Sequence, residues 1–385
     1  MNSLNRVFEY ELPTEICFGL KSLQKLPEKV EKYNGSRIFV ISDPGVKDAG
    51  ILEKVTDQLS NIPHEEFWDI EREPDVKTIR KIQDKINDFN ADLVIGVGGG
   101  SAQDAAKAVA IMATNEGDIT EYAGLDKVPN AGLPTICIPT TAGTGSEATI
   151  WTVMSDKENN KKFGVGGKLI APTVALCDPE LTVSLPASIT ASTGVDALTH
   201  ALESFVNKAT QPISEALSRE SMRLISKSLR QAVHQGDNIE ARYDMLLGST
   251  IAATAFNPTR LGLAHALCMP LGGKFKVPHG TANAILLPQV MKYNLAGNAE
   301  RYKEIAEIFG ENTENLPLHE AAELSVKAIR KLNKDVGIPT GLSEFGVTEN
   351  DLDYIAEGAI GSDNVDVNPK KPIIEDLKQI VRNSL

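Results

Sequence analysis

At 385 residues the chain is too long for one ordinary hydrophobic core, and 42% hydrophobic with 24% charged residues is the balance of a globular protein of two domains. A net charge of −13, from 39 Lys and Arg against 52 Asp and Glu, argues against nucleic acid, whose phosphates need clustered cations. No apolar run approaches the ~18 residues of a membrane helix, and the start MNSLNRVFEYELP is unlike a secretory signal, so a cytoplasmic enzyme away from membranes is expected.

Two short β-like pieces come first, VFEYEL (7–12) and EICFG (15–19), suited to a sheet edge or to a partner subunit. From residue 37 to about 180, short apolar runs (RIFVIS, ADLVIGVG, PTICIPT, TVALCD) alternate with amphipathic stretches such as DVKTIRKIQDKINDF and SAQDAAKAVAIMA. That alternation predicts an α/β domain with a mostly parallel sheet. Within it, TIWTVMSD and KKFGVGG (149–166) flank a polar turn and read as a β-hairpin. After Pro186 the period changes to that of helices, over 187–207, 211–235, 238–256, 262–271 and 317–336. The predicted domains are therefore 1–183, α/β, and 184–385, all helical. The cysteines Cys17, Cys137, Cys177 and Cys268 are widely spaced with no C-x-x-C pair, which predicts neither a disulfide framework nor structural zinc. The first three lie in strand-like runs, where Cys packs as a small hydrophobe.

Small-residue loops follow two of the predicted strands. Gly96-Val97-Gly98-Gly99-Gly100-Ser101 leads from a strand into a helix, where glycines admit a ligand and free N–H groups bind an anion. It is not the G-x-G-x-x-G fingerprint, and a tight turn without a ligand is its plain alternative. Pro139-Thr140-Thr141-Ala142-Gly143-Thr144-Gly145-Ser146-Glu147 is a second such loop, rich in hydroxyls. Asp43 ends the strand RIFVIS, where an acid accepts from an adenosine ribose and repels a 2′-phosphate. Asp43 equally suits a helix N-cap before PGVKDAGI.

Four residues of the helical half form a candidate metal set. Asp196 and His200 are four apart in TGVDALTHALESF and share one helix face. His265 opens the segment LGLAHALCMPLGG, and His279 sits in the turn VPHGTAN. Three imidazoles and a carboxylate suit Fe(II) or Zn(II). A core histidine hydrogen-bonded to Asp196, with no metal, explains the first pair as well.

Taken together and in order, GGGSAQDAAKAVA, PTTAGTGSE, DPELT, STGVDALTHALESFV, GLAHALCMPLGG, PHGTANAILLP and a closing Asn368-Pro369-Lys370 resemble the iron-containing (group III) alcohol dehydrogenase family. The resemblance runs from about residue 5 to the C-terminus. It implies a dinucleotide-binding domain, a helical metal-binding domain and an active site in the cleft between them. It implies Asp196, His200, His265 and His279 as metal ligands and catalytic centre. By the same resemblance Gly99, Gly100 and Ser101 match the pyrophosphate loop, with Asp104 in the same motif. Thr140, Thr141, Thr144 and Thr149 match residues around the nicotinamide, and Lys162 the lysine near its ribose. The Asp at position 43 implies NAD in preference to NADP, and the family implies Fe(II), with zinc as its substitute, and a homodimer or higher homo-oligomer. One departure stands out. Where the family often has a second histidine four residues after the third ligand, this chain has Met269. The expected proton path is then ordered water and the cofactor ribose hydroxyl.

The expected reaction is reversible hydride transfer between a small primary alcohol or diol and its aldehyde, the metal acting as Lewis acid on the substrate oxygen. Two alternatives stay open on the residues. One is a metal- and NAD-dependent cyclising lyase of the dehydroquinate synthase kind, disfavoured by the apolar segments around the ligands. The other is a non-catalytic nucleotide-binding protein of the same fold, disfavoured by an intact ligand set.

Overall fold

A computed structural model describes residues 7–159 and 161–385. Its strands are β1 (Glu15–Phe18), β2 (Ile38–Ile41), β3 (His64–Phe67), β4 (Leu93–Gly98), β5 (Gly124–Leu125), β6 (Thr135–Pro139), β7 (Trp151–Asp156), β8 (Lys161–Gly166) and β9 (Val174–Cys177). Six of them form a parallel sheet in the order β1-β9-β6-β4-β2-β3. The interior strands β2, β4, β6 and β9 are buried along their whole length. A parallel sheet covered on both faces demands such unbroken apolar runs. Alternate side chains part to opposite faces. Phe39, Ile41 and Val94 pack in one core with Ile79, Ile82 and Ile86, whereas Ile38, Val40, Leu93 and Ile95 enter the other with Leu26, Val30 and Leu52.

Helices α1 (Leu26–Lys32), α2 (Pro44–Asp48), α3 (Ile51–Asp57), α4 (Val76–Phe89) and α5 (Gly100–Met112) link these strands. Helix α4 shows why the chain turns helical here. Asp75 caps it by accepting from the Lys77 N–H, its apolar residues recur every three or four positions, and Asn90 ends it in the left-handed region. The hairpin forms as expected, β7 antiparallel to β8, but begins at Trp151 and not at residue 149. VFEYEL forms no strand. It has no ladder partner among the described residues, and Val7 is 94% exposed. EICF does join the sheet edge, as β1 beside β9.

No strand follows Cys177 among the described residues. The later helices are α6 (Ala187–Val206), α7 (Pro212–His234), α8 (Ile239–Phe256), α9 (Leu263–Phe275), α10 (His279–Asn294), α11 (Ala299–Ile308), α12 (Leu318–Asp335), α13 (Leu352–Ile360), α14 (Asp363–Asp366) and α15 (Ile374–Arg382). Helix α10 was not apparent from sequence periodicity, because it is apolar over much of its length and contains Pro288. Proline offers no N–H to the Ala284 carbonyl one turn back. Asn333 of α12 donates to that carbonyl instead, at 2.7 Å.

The chain packs as two compact units. One comprises Pro13–Thr190 with Gln235–Thr250; the other comprises Ala191–His234 and Ile251–Leu385 with the described residues before Pro13.

Candidate metal centre and nucleotide loops

All four metal-ligand candidates belong to the helical unit. Asp196 and His200 project from one face of α6, and His265 is the third residue of α9. His279 is the first residue of α10, with Pro278 as its N-cap, where the sequence suggested a turn. The donor atoms of the four side chains lie within 4.8 Å of one another. Asp196, His200 and His265 are buried, and His279 is one-third exposed. The rings of His200 and His265 stack with centroids 4.7 Å apart. Helix α10 approaches α6 closely at Gly280, where a Cβ would stand 2.4 Å from the Ser192 carbonyl oxygen.

The donor set fits a divalent cation. Asp196 Oδ1, His265 Nε2 and His279 Nε2 converge on one polar atom, the Asn283 Nδ2, at 2.8, 3.0 and 3.3 Å. Burial pushes the Asp196 carboxyl up, but the His200, His279 and His265 imidazoles outweigh it and hold it well below the usual carboxylate range. Burial likewise opposes a charge on His265, yet Glu203 and Asp196 lift that ring to about 9. The Asp196 and Glu203 carboxylates set a negative field at this point, which suits a cation that takes the place of the imidazole protons.

Glu203 and Asn283 were missed by the sequence reading. The signal was present for both. Asp196, His200 and Glu203 follow an i, i+4, i+7 pattern on α6, and Asn283 lies one turn beyond His279.

The cofactor candidates all belong to the α/β unit. From β2 the chain passes to β3 on one side and returns to β4 on the other, so β2/β4 is the switch point where such sheets bind ligands. Asp43 follows β2, Gly99 follows β4, and Thr140 follows β6 on its far side. Gly98 ends β4 with φ 147°, and a Cβ there would lie 2.8 Å from Asp43 Oδ2. Asp43 also caps α2, its Oδ1 accepting from Val46 N–H at 3.1 Å, and burial raises its carboxyl. Gly99 and Gly100 open α5, with Thr141 and Thr144 closing on them.

Other members of the set are occupied within the protein. Asp104 accepts from Ser146 Oγ at 2.5 Å and Val153 N–H at 3.0 Å and pairs with Lys107 at 3.1 Å. Thr149 is buried and donates to the Trp151 carbonyl at 3.2 Å. Thr140 is buried, its N–H bonded to the Gly98 carbonyl at 3.1 Å. Lys162 pairs with Glu73 at 2.6 Å, and Ser101 Oγ accepts from the Glu73 N–H at 3.2 Å.

Comparison with known proteins agrees with both halves. The family model for iron-containing alcohol dehydrogenase matches residues 13–179, and that for the C-terminal part of the Fe-containing alcohol dehydrogenase family matches 190–385. The chain belongs to the iron-containing alcohol dehydrogenase family. A 1,3-propanediol dehydrogenase from Citrobacter freundii is 38% identical over 98% of this chain and 99% of its own. A crystal structure of 1,3-propanediol oxidoreductase superposes with a TM-score of 0.97 at 37% identity, covering 99% of this chain and 100% of the other. A sulfoacetaldehyde reductase from Bifidobacterium kashiwanohense, solved with NAD+, gives 0.91 at 30% identity over 99% of each chain. This family member is a metal-dependent oxidoreductase that interconverts alcohols and aldehydes with NAD. No helix among its described residues is long and apolar enough to cross a membrane.

Proposed function

We propose that the enzyme acts on a short primary alcohol or diol and its aldehyde, with Asp196, His200, His265 and His279 holding Fe(II). The observation that carries this reading is the clustering of those four donors within 4.8 Å of one another in the helical unit. Bound Fe(II), or Zn(II) in its place, supplies a Lewis acid for the substrate oxygen, and bound NAD supplies the hydride acceptor. The protein's part is position. Helix α6 presents a carboxylate and an imidazole one turn apart, and α9 and α10 bring the other two rings to them. The stretch LGLAHALCMPLGG that carries His265 holds no charged residue, which suits an uncharged substrate. The diol preference draws support from the 1,3-propanediol relative. Met269 has no titratable atom, so the position four residues beyond His265 supplies no proton carrier.

On the nucleotide side, Asp43 selects NAD over NADP, and Gly99, Gly100 and Ser101 receive the pyrophosphate at the start of α5. Thr140, Thr141, Thr144 and Lys162 border the nicotinamide half. Asp104 and Thr149 serve it by holding the 140–151 loop in shape, as their internal hydrogen bonds support. Along the chain we assign nucleotide binding to 1–183 and metal binding to 184–385, supported by the change from strands to helices after Cys177. A homodimer and a cytoplasmic location complete the reading. The first draws on the exposed edge at β1, the second on four cysteines that stay free thiols.

The deciding experiment compares wild type, His279→Ala and metal-stripped enzyme on a panel of alcohols, following NADH at 340 nm. Removing a Lewis acid worth several kcal/mol lowers kcat/KM by about 10²–10³-fold. Undiminished turnover in either altered form sinks the metal reading.

A further inference from the structure

Glu203 lies seven residues after Asp196 on the same face of α6 and is 2% exposed. A buried carboxylate must have its lone pairs satisfied. Here three donors meet it, and all belong to the start of α9. Its Oε2 accepts from Gly262 N–H at 2.9 Å and from His265 Nδ1 at 2.6 Å, and its Oε1 accepts from Ala264 N–H at 2.7 Å. The chain is shaped to admit the group, since a Cβ at Gly262 would stand 2.8 Å from Glu203 Oε1. The N-cap of α9 is Gly262, which has no side chain to cap with, so Glu203 of α6 does the capping from outside.

One of those three bonds reaches a metal-ligand candidate. A carboxylate only accepts, so the His265 nitrogen that faces it carries the proton. In the neutral ring that a cation requires, the other nitrogen, Nε2, then keeps its lone pair, turned toward Asp196 and Asn283. The amide of Asn283 agrees, since its Nδ2 donates both to Asp196 Oδ1 and toward His265 Nε2. The amide turned over would set its oxygen against the Asp196 carboxylate. His279 has a weaker support. Its Nδ1 meets the Cys268 sulfur at 3.4 Å.

We propose that Glu203 is the positioning residue of the metal site, fixing His265 with Nδ1 protonated and Nε2 free to bind the cation. This rests on the four-ligand reading above. A carboxylate behind a metal-bound histidine locks ring and tautomer, and losing such a partner weakens metal binding by about 10–100-fold. Helix capping alone would stabilise α9 without setting the metal affinity.

The test uses the full-length enzyme and Zn(II), with affinity measured by chelator competition. Glu203→Gln puts an N–H donor among three donors, so the expected result is a 10–100-fold weaker zinc affinity with NADH binding unchanged. Glu203→Asp, which restores the charge, should recover part of the loss. Zinc affinity within twofold of wild type in a folded Glu203→Gln protein overturns the proposal. Should neither variant fold, ¹⁵N-histidine NMR of zinc-loaded wild type decides. A protonated Nδ1 on His265 supports the assignment, and a protonated Nε2 refutes it. Metal retained by His279→Ala would bring down the four-ligand reading itself. Metal lost there but bound normally by Glu203→Gln would bring down only the role of Glu203.

Discussion

Single residues decide two properties of this enzyme. At Gly280 the constraint is steric. The atom a side chain would strike is backbone, the Ser192 carbonyl, so α10 must move away from α6 for any larger residue to fit. Gly280→Ala should cost about 1–3 kcal/mol of stability and loosen His279 from its fellow donors. Bound metal per chain, counted by elemental analysis, should fall well below wild type; full occupancy would show that α10 can yield without disturbing the centre. At Asp43 the constraint is electrostatic. Asp43→Gly removes the charge proposed to repel a 2′-phosphate, while Gly at a helix N-cap costs only a few tenths of a kcal/mol. The ratio of kcat/KM for NAD over NADP should drop at least about tenfold, the equivalent of ~1.4 kcal/mol. An unchanged ratio would relieve Asp43 of cofactor choice.

At the scale of elements, β1 is held to its neighbours by more than its ladder. Glu15 accepts from Lys32 at 2.6 Å, Lys29 at 2.9 Å and the Tyr33 hydroxyl at 2.9 Å, tying the edge strand to the end of α1. The hydrogen bond from Lys32, then those from Lys29 and Tyr33, hold its carboxyl down at about 2. A folded-state value below the unfolded one stabilises the fold above the ordinary carboxylate range, and that stability is lost as pH falls from about 4.5 toward 2. Glu15 is partly exposed, so the contribution is about 1 kcal/mol or less. Wild type should therefore exceed Glu15→Gln in urea midpoint at pH 6, with the gap closing by pH 2.5. A gap that persists in acid would mean the variant acts through packing. Elements also show where periodicity serves and where it fails. The interior strands were legible because burial on both faces leaves an unbroken apolar run. VFEYEL reads as β-like by alternation, and the lack of a ladder partner among the described residues separates it from a strand. Helix α10 is buried over most of its length, so it has no solvent-facing stripe for a period to reveal, and its Pro288 would count against it without Asn333.

For the whole molecule, the question is how many chains make the working enzyme. Strand β1 ends the six-stranded sheet with its outer edge unpaired among the described residues, and Ile16, Phe8 and Leu12 are each at least a third exposed. An open edge that carries an exposed apolar side chain such as Ile16 is a template for another strand. Sedimentation equilibrium should give twice the 41.5 kDa chain mass, and removal of residues 1–12 should shift it toward one. A monomer in the intact protein would end the dimer proposal.

The sequence by itself determined the family, the parallel sheet, the helical second half and the residue types of the metal set. These rest on order, spacing and hydrophobic period, which are properties of the chain read along its length. Asp196 and His200 were legible as a pair because four residues make one helical turn. What only tertiary structure decided is where separate elements meet. No local pattern says that α9 and α10 deliver His265 and His279 to that pair, or that a glycine lets α10 come so close. Spacing puts Glu203 on the same helix face as Asp196 and His200, but it does not say that this carboxylate is buried. Most carboxylates stay in water, and Glu203 is dry only because three donors from another helix surround it.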